Sequence, residues 1–510
     1  MYLTAGLHKS LQLAPDATML IDGEVRRSFG EVADRVARLA GALRSLGAQP
    51  GDRIGILSLN SAAYAEIVLA CAWGGFVFAP INARWSVPEM QFQVDDAQIA
   101  ICFTDNACAA AASRLTGLRQ LVSTAAELDS LIASGEPIED QRMGWDELAG
   151  LLYTGGTTGR AKGVMINARG ILTSTYGSLA SAGQPLVAER FLHISPFYHL
   201  AALGSLLLQV QLGSTHILLP AFEIDAFLDT VSHEEVSATT LVPTMMHLVF
   251  TEALASGRSL PTLRRIGYGA SPISEATLRL TMQAVPGVLL AQRYGMTELG
   301  PVATVLAPHD HDLERPDRLR SAGRAALHNE VRVVDPSDRP LPTGEVGEVV
   351  VRGANVMMGY WNLPEQTADT LRGGWMHTGD LGYFDDEGFL YVVDRVKDMI
   401  VTGGENVYST EVEKALAAHP AVDQVAVVGV PDDDWGERVH AYVVLAGGES
   451  VDASALREFT GKQIAHYKVP KTIDFIDEMP LSPVGKILKR ELRQRVSSNA
   501  VVEQRRPRGA

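Results

Sequence analysis

Eleven residues, Tyr153-Thr154-Gly155-Gly156-Thr157-Thr158-Gly159-Arg160-Ala161-Lys162-Gly163, hold four glycines, three threonines and a lysine. They lie between two apolar runs, Leu151-Leu152-Tyr153 and Val164-Met165-Ile166, which places them on a loop joining two strands. Glycine lets backbone N–H groups turn inward and approach an anion closely. Threonine hydroxyls add donors and the lysine adds a mobile positive charge. The chemistry this suits is the cradling of a polyphosphate. It is not a Walker A loop, because the spacing G-x-x-x-x-G-K-[ST] does not fit and no helix opens directly after the lysine. A flexible surface turn would carry the same texture.

Four later stretches could complete such a cradle. Gly267-Tyr268-Gly269-Ala270-Ser271-Pro272 is a small-residue turn against which a flat ring could lie, although a simple β-turn reads the same way. Arg293-Tyr294-Gly295-Met296-Thr297-Glu298-Leu299-Gly300 sets a hydroxyl beside a carboxylate. Mg²⁺ usually takes one carboxylate plus nucleotide phosphates, and Glu298 could supply that ligand; a solvated glutamate is the plainer alternative. In His377-Thr378-Gly379-Asp380-Leu381-Gly382-Tyr383 the aspartate could accept both hydroxyls of a ribose, or simply serve the turn. Ser482-Pro483-Val484-Gly485-Lys486-Ile487-Leu488-Lys489-Arg490 holds Lys486 in a short apolar stretch; taken singly it reads as a surface lysine.

The elements that must position these residues alternate. Phe29 to Leu46 carries apolar residues at Val32, Val36, Leu39, Leu43 and Leu46, a helical spacing. Strand, helix and strand follow at Asp52–Leu59, Ala62–Trp73 and Phe76–Ile81, then a helix at Glu89–Asp95 and a strand at Ile99–Thr104. Thr116 to Gly144 reads as polar and irregular. Strands resume at Phe191–Ser195, His216–Leu219, Ala238–Val242, Arg265–Gly269 and Val288–Ala291, with helices between them. This alternation predicts an α/β fold with parallel sheets. From about His328 turn signals crowd together and a β-rich subdomain is expected. The charged run Asp394-Arg395-Val396-Lys397-Asp398 then precedes a small α+β unit. The expected domains are 1–394 and 395–510, with a hinge at 395–398 and a disordered tail from about 497.

Bulk properties bound the function. A chain of 510 residues exceeds one ordinary core. Its formal charge of −16 argues against a nucleic-acid partner. Cys71, Cys102 and Cys108 form no C-x-x-C pair, so neither a disulfide framework nor a zinc site is indicated and a cytoplasmic location is expected. The first twenty residues lack the basic-then-apolar pattern of a signal peptide. The uncharged runs Ile67–Ile81 and Phe191–Phe222 carry glycines, proline or polar residues and read as buried elements, not membrane spans. Peripheral membrane contact and the choice between monomer and homodimer stay open.

Taken together and in this order, the five stretches resemble the acyl-adenylate-forming (ANL) superfamily and, within it, the acyl-CoA synthetases. The resemblance runs from Thr154 to Lys486 and spans nearly the whole chain. It implies ATP-dependent activation of a carboxylic acid to acyl-AMP with loss of pyrophosphate, then transfer to CoA with release of AMP. It also implies Mg²⁺ and a mobile C-terminal domain. By this resemblance Thr154, Gly155, Gly156, Thr157, Thr158 and Gly159, with Lys162, hold the β- and γ-phosphates. Gly269, Ala270 and Ser271 lie along the adenine with Tyr294 stacking nearby, and Gly295 and Met296 belong to the same nucleotide site. Thr297 contacts the α-phosphate, Glu298 holds Mg²⁺, and Asp380 binds the ribose with help from Arg395. Lys486 is the lysine required for adenylation and Lys397 the hinge residue. After rotation about that hinge, Gly403, Gly404 and Glu405 line the pantetheine tunnel and Trp435 stacks on the CoA nucleotide. Three departures stand out: Gly155 where serine is frequent, and Ala161 and Ser409 where proline is.

The acyl pocket implied by the resemblance draws on Tyr198, His199, Val242, Met246, Gly269 and Met296. From Phe191 to Phe222 there is no Asp, Glu, Lys or Arg, which favours an apolar monocarboxylate. The adaptable methionines suit a medium- or long-chain fatty acid. An aryl acid such as a hydroxycinnamate, or loading of a carrier protein in trans, is the alternative. His199 joins Lys486, Lys162 and Thr297 as a catalytic candidate, either gating the pocket or packing at a helix start.

Overall fold

The computed structural model describes residues 2–155, 161–271, 273–402, 405–432, 435–481 and 487–495. The chain forms two compact units. The first comprises Met1–Arg332, Val350–His377 and Asp385–Tyr391; the second comprises Val333–Val349, Thr378–Phe384 and Val392–Ala510.

The first unit is α/β, as the alternation predicts, and is built on two sheets. In the seven-stranded sheet Arg53–Leu57 runs parallel to both Val77–Pro80 and Ile101–Thr104. The helix Phe29–Ser45 packs its apolar stripe inward, and Val32, Val36, Leu39 and Leu43 are all inaccessible. A capping box between Ser28 and Glu31 starts it by satisfying two orphan N–H groups. The helix Ala62–Gly74 is buried all round and has no polar face. The strand Leu148–Thr154 then reverses into Lys162–Asn167, antiparallel, with Thr154 opposite Lys162. Gly359–Tyr360 pairs with the outer edge of that second strand, Tyr360 opposite Val164.

The nine-stranded sheet carries six adjacent parallel strands: Thr18–Asp22 and the successive strands Arg190–His193, Thr215–Leu218, Ala238–Leu241, Arg265–Gly269 and Leu289–Tyr294. The helices Leu200–Leu212, Ile224–His233, Pro243–Ser256 and Glu275–Ala284 make the crossovers that parallel pairing requires. Two regions depart from the sequence reading. Thr18–Asp22 and Val25–Ser28 form an antiparallel hairpin at one edge of this sheet, and the segment read as irregular contains the strand Gln120–Ser123 and the helix Leu128–Ser134. That helix has seven residues and buries only Leu128 and Ile132, too few for a period to show.

One buried feature of this sheet has a measurable consequence. His193 Nε2 lies 3.1 Å from His216 Nδ1 and the rings stack at 13°. Burial holds both imidazoles neutral: His193 falls well below its ordinary pKa, with the neighbouring His216 adding to the effect, and desolvation takes His216 down to about 3. Above pH 6.5 both rings are neutral whether the chain is folded or not. Below it the unfolded chain takes up protons the fold refuses. Stability should therefore fall as pH drops from about 6.5 towards 3, by up to about 1.4 kcal/mol per pH unit for each histidine. Thermal melts across that window should show a steeper fall for the parent protein than for His216→Gln.

From about His328 β-structure dominates, but the strands do not shorten as the dense turn signals suggest: Asn329–Val334, Gly347–Gly353, Met376–Phe384 and Leu390–Arg395, of six to nine residues, form a four-stranded sheet in that order. In the second unit Val422–Asp432 and Gly436–Leu445 make a long antiparallel hairpin, with Thr472–Phe475 parallel to its second arm. The helices Ser409–Ala417 and Ala453–Gly461 belong to the same unit. Among the described residues no helix is long and apolar enough to cross a membrane.

Candidate active site

Gly156 to Gly159, Gly403, Gly404 and Lys486 lie outside the described residues, as does the expected tail. The stems of the glycine-rich loop are described. Tyr153, buried on the first stem, donates its hydroxyl to Asp96 at 2.5 Å, and burial with this carboxylate raises its pKa strongly. Thr154 and Lys162 face each other across the stem, and Gly155 is exposed.

Lys162 points over an aromatic ring. Its Nζ lies 4.8 Å from the ring centre of Tyr360, a cation–π distance. The Tyr360 hydroxyl donates to Glu298 Oε1 at 3.0 Å. Desolvation first, and the Glu298 charge second, raise the Tyr360 pKa, so the hydroxyl keeps its proton and remains a donor. Tyr360 thus links the glycine-rich stem to the turn Thr297–Leu299, which the Met357 N–H also holds through the Glu298 carbonyl at 2.9 Å. Glu298 is 7% exposed. This tyrosine is a site residue that the motifs do not reveal. Its run, Met358-Gly359-Tyr360-Trp361, has no chemical spacing, and only the sheet pairing brings it to the site.

Glu298 fits Mg²⁺ by its chemistry. Among the described residues no group of three or more His, Cys, Asp or Glu could hold a metal ion. A single buried carboxylate suits a cation that completes its shell with phosphate oxygens and water.

The adenine candidates lie at the ends of two neighbouring strands, where Gly269 is opposite Arg293. A Cβ on Gly269 would come 2.3 Å from the Arg293 carbonyl oxygen, so the close approach of the strands requires glycine. Ala270, at φ +69°, and Ser271 are exposed, and Tyr294, Met296 and Thr297 are half-buried around the exposed Gly295. Among the acyl candidates Tyr198 is buried and His199 half-buried at the start of Leu200–Leu212, their rings 4.7 Å apart. Val242 is half-buried. Met246 is fully enclosed in the core cluster that includes Phe227, Phe250 and Tyr268.

Arg293 has a position the motifs do not foretell. Its guanidinium occupies the space beside Gly267: a Cβ there would meet Nη1 at 2.3 Å and Thr240 Oγ1 at 3.0 Å. Its Nε donates to Ser178 Oγ at 3.4 Å, and among the described residues no carboxylate forms an ion pair with it. The side chain is partly accessible, yet desolvation lowers its pKa to about 10.

In the second unit Asp380 is buried and pairs with Arg395 Nε at 3.2 Å, while its N–H donates to Thr378 Oγ1. Lys397 reaches the surface, but protein packed around its stem lowers its pKa to about 8 by desolvation, opposed by Asp398 and reinforced by Arg395 and Arg493. Glu405 is exposed. Trp435 is half exposed, with Lys471 Nζ 5.0 Å from its ring.

Comparison with known proteins settles the family. The family model for AMP-binding enzymes matches residues 7–361, and that for the AMP-binding enzyme C-terminal domain matches 411–486. The chain belongs to the AMP-binding enzymes, the acyl-adenylate-forming superfamily. This AMP-binding enzyme is 40% identical to a feruloyl-CoA synthase of an Amycolatopsis species over 95% of its length and 97% of the relative's. It is 36% identical to a medium/long-chain-fatty-acid–CoA ligase of Mycobacterium tuberculosis, over 97% and 89%. Among solved structures it is similar to the o-succinylbenzoate–CoA synthetase of Bacillus subtilis bound to its acyl-adenylate, with a TM-score of 0.85, 30% identity and 96% and 98% of the two chains covered.

Proposed function

We propose that the protein is an AMP-forming acid–CoA ligase whose substrate is an aromatic carboxylic acid with an oxygen substituent at its far end, of the hydroxycinnamate kind. ATP and CoA are its co-substrates, and a reducing cytoplasm suits its three buried free cysteines. The observation that carries the ligase reading is the row Lys162, Tyr360 and Glu298, which puts a cation and an oriented carboxylate beside a glycine-rich stem.

The chemistry needs those charges because a carboxylate must attack the α-phosphate of ATP, an anion meeting an anion. Lys162, held over an aromatic face, is assigned to the phosphates that leave as pyrophosphate. Tyr360 fixes the orientation of Glu298, and Glu298 is the residue that would hold Mg²⁺, which when bound neutralises phosphate charge. Asp380, paired with Arg395, is assigned to the ribose hydroxyls. Lys486 is assigned to adenylation alone.

Arg293 supports the aromatic, oxygen-bearing acid. A guanidinium that donates to the Ser178 hydroxyl and fills the space beside Gly267 suits an oxygen acceptor better than a methyl terminus. It shares a sheet face with Gly267 and Gly269, and the strongest relative described above acts on a feruloyl group. A medium- or long-chain fatty acid is the second reading, supported by the uncharged helix Leu200–Leu212 and by the mycobacterial relative.

A panel assay of CoA-dependent AMP formation separates the two. Ferulate and 4-hydroxycinnamate should exceed cinnamate by about tenfold in kcat/KM, and Arg293→Met should erase that ratio while cinnamate turnover persists. Preference for octanoate or palmitate, unaffected by the substitution, would establish the fatty acid instead. Dependence on a holo-carrier protein in place of CoA would refute the CoA ligase.

A further inference from the structure

Ser409 stands where proline is frequent in the resembling synthetases, and it opens the helix Ser409–Ala417. Tyr408, the residue before it, gives that helix no side-chain cap. The cap arrives from a distant part of the chain. Asp394, 6% exposed in the strand Leu390–Arg395, accepts from the Ser409 N–H at 2.5 Å and from the Ser409 hydroxyl at 2.8 Å. Beside it the Thr410 hydroxyl donates to the Val393 carbonyl. A carboxylate at a helix N-terminus satisfies an orphan donor and lies at the positive end of the dipole. Proline at 409 could offer neither of the two donors.

The contact extends to the end of the described chain. Ser409 Oγ accepts from Lys489 Nζ at 2.6 Å, and Lys489 pairs with the half-buried Glu413 at 2.7 Å. Four residues on, Arg493 pairs with Asp398 at 2.7 Å and donates to the Lys397 carbonyl at 3.3 Å. Residues 489–495 are helical, so these two cations share a face. That face grips the segment 394–398 at both ends, once through Ser409 and once directly.

The two grips differ in one respect. Asp394 and Ser409 lie on opposite sides of Lys397 in sequence, whereas Asp398 and Arg493 both follow it. A backbone rotation at Lys397 can carry Asp398 and Arg493 together, but it must separate Asp394 from Ser409. We propose that Asp394, Ser409 and Lys489 form a latch across the hinge, and that these positioning residues set the balance between adenylation and thioester formation. The proposal rests on reading the protein as a two-step ligase with its hinge at Lys397.

Ser409→Pro is the decisive variant, because proline is tolerated at a first helical position and the fold should persist. Adenylation is read as ATP–pyrophosphate exchange with ferulate, and thioester formation as transfer from supplied feruloyl-adenylate to CoA. The ratio of the two rates should change by about fivefold or more at unaltered Tm. Ser409→Ala, which keeps the N–H, should shift the ratio in the same direction by less, and Lys489→Met likewise. An unchanged ratio, or a proportionate loss of both rates, overturns the latch. Lys397→Pro tests the hinge by itself. Loss of one half-reaction there supports the hinge whatever Ser409→Pro does, and two intact half-reactions overturn the hinge reading and the latch with it.

Discussion

Replacing Lys486 with alanine is expected to lower acyl-adenylate formation by about a thousandfold and to leave thioester formation from supplied acyl-adenylate within about twofold. The reason lies in where charge develops. Attack of one anion on another builds negative charge between the carboxylate and the α-phosphate, and a cation placed there stabilises the transition state more than the separated reactants. Thiol attack on the acyl-adenylate has no such requirement, because the phosphate is then the leaving group. Lys162 cannot substitute, since its ammonium is held over Tyr360 on the stem of the glycine-rich loop. The measurement is pyrophosphate exchange for the first step and rapid-quench transfer to CoA for the second. Equal loss of both would refute the assignment of separate residues to the two steps.

How much of this was legible in the sequence depends on whether the signal is local. The helix Phe29–Ser45 could be read because its apolar spacing and its capping box lie in one continuous stretch. The parallel strands from Arg190 to Tyr294 could be read because helix-length segments separate them. The strand Gln120–Ser123 could not, since it is four residues long and owes its conformation to pairing with Ile101–Thr104. The site divides in the same way. Glu298 sits in a glycine-flanked turn and Asp380, read as a turn residue, lies between two glycines inside the strand Met376–Phe384; in both cases the local composition is itself the clue. Tyr360 and Asp394 act through residues 62 and 15 positions away; nothing near Tyr360 marks it, and the charged run that begins at Asp394 marks a boundary without disclosing its partner. Arg293 lay within a recognised stretch, but its role depends on the missing Cβ of Gly267 on the neighbouring strand. Ser409 stood out only as a departure from a frequent proline, because its partner becomes visible only in three dimensions.

Glu298→Gln is expected to lower AMP formation by about a hundredfold or more, with a smaller loss for Tyr360→Phe. Glutamine has the same shape and can still accept the Tyr360 hydroxyl, so the Thr297–Leu299 turn should keep its place and Tm should change little. What disappears is the negative charge. A hard divalent cation binds carboxylate oxygen far better than amide oxygen, so the substitution should weaken ATP binding in the presence of Mg²⁺ and leave binding without it nearly unchanged. Calorimetric titration with ATP, with and without Mg²⁺, separates this from a general loss of nucleotide affinity. Tyr360→Phe keeps the charge and releases its orientation. Its deficit should therefore shrink as Mg²⁺ is raised, whereas that of Glu298→Gln should persist. Equal ATP affinity for Glu298→Gln and the parent enzyme at every Mg²⁺ concentration would remove Glu298 from the metal site and leave it as the structural partner of Tyr360.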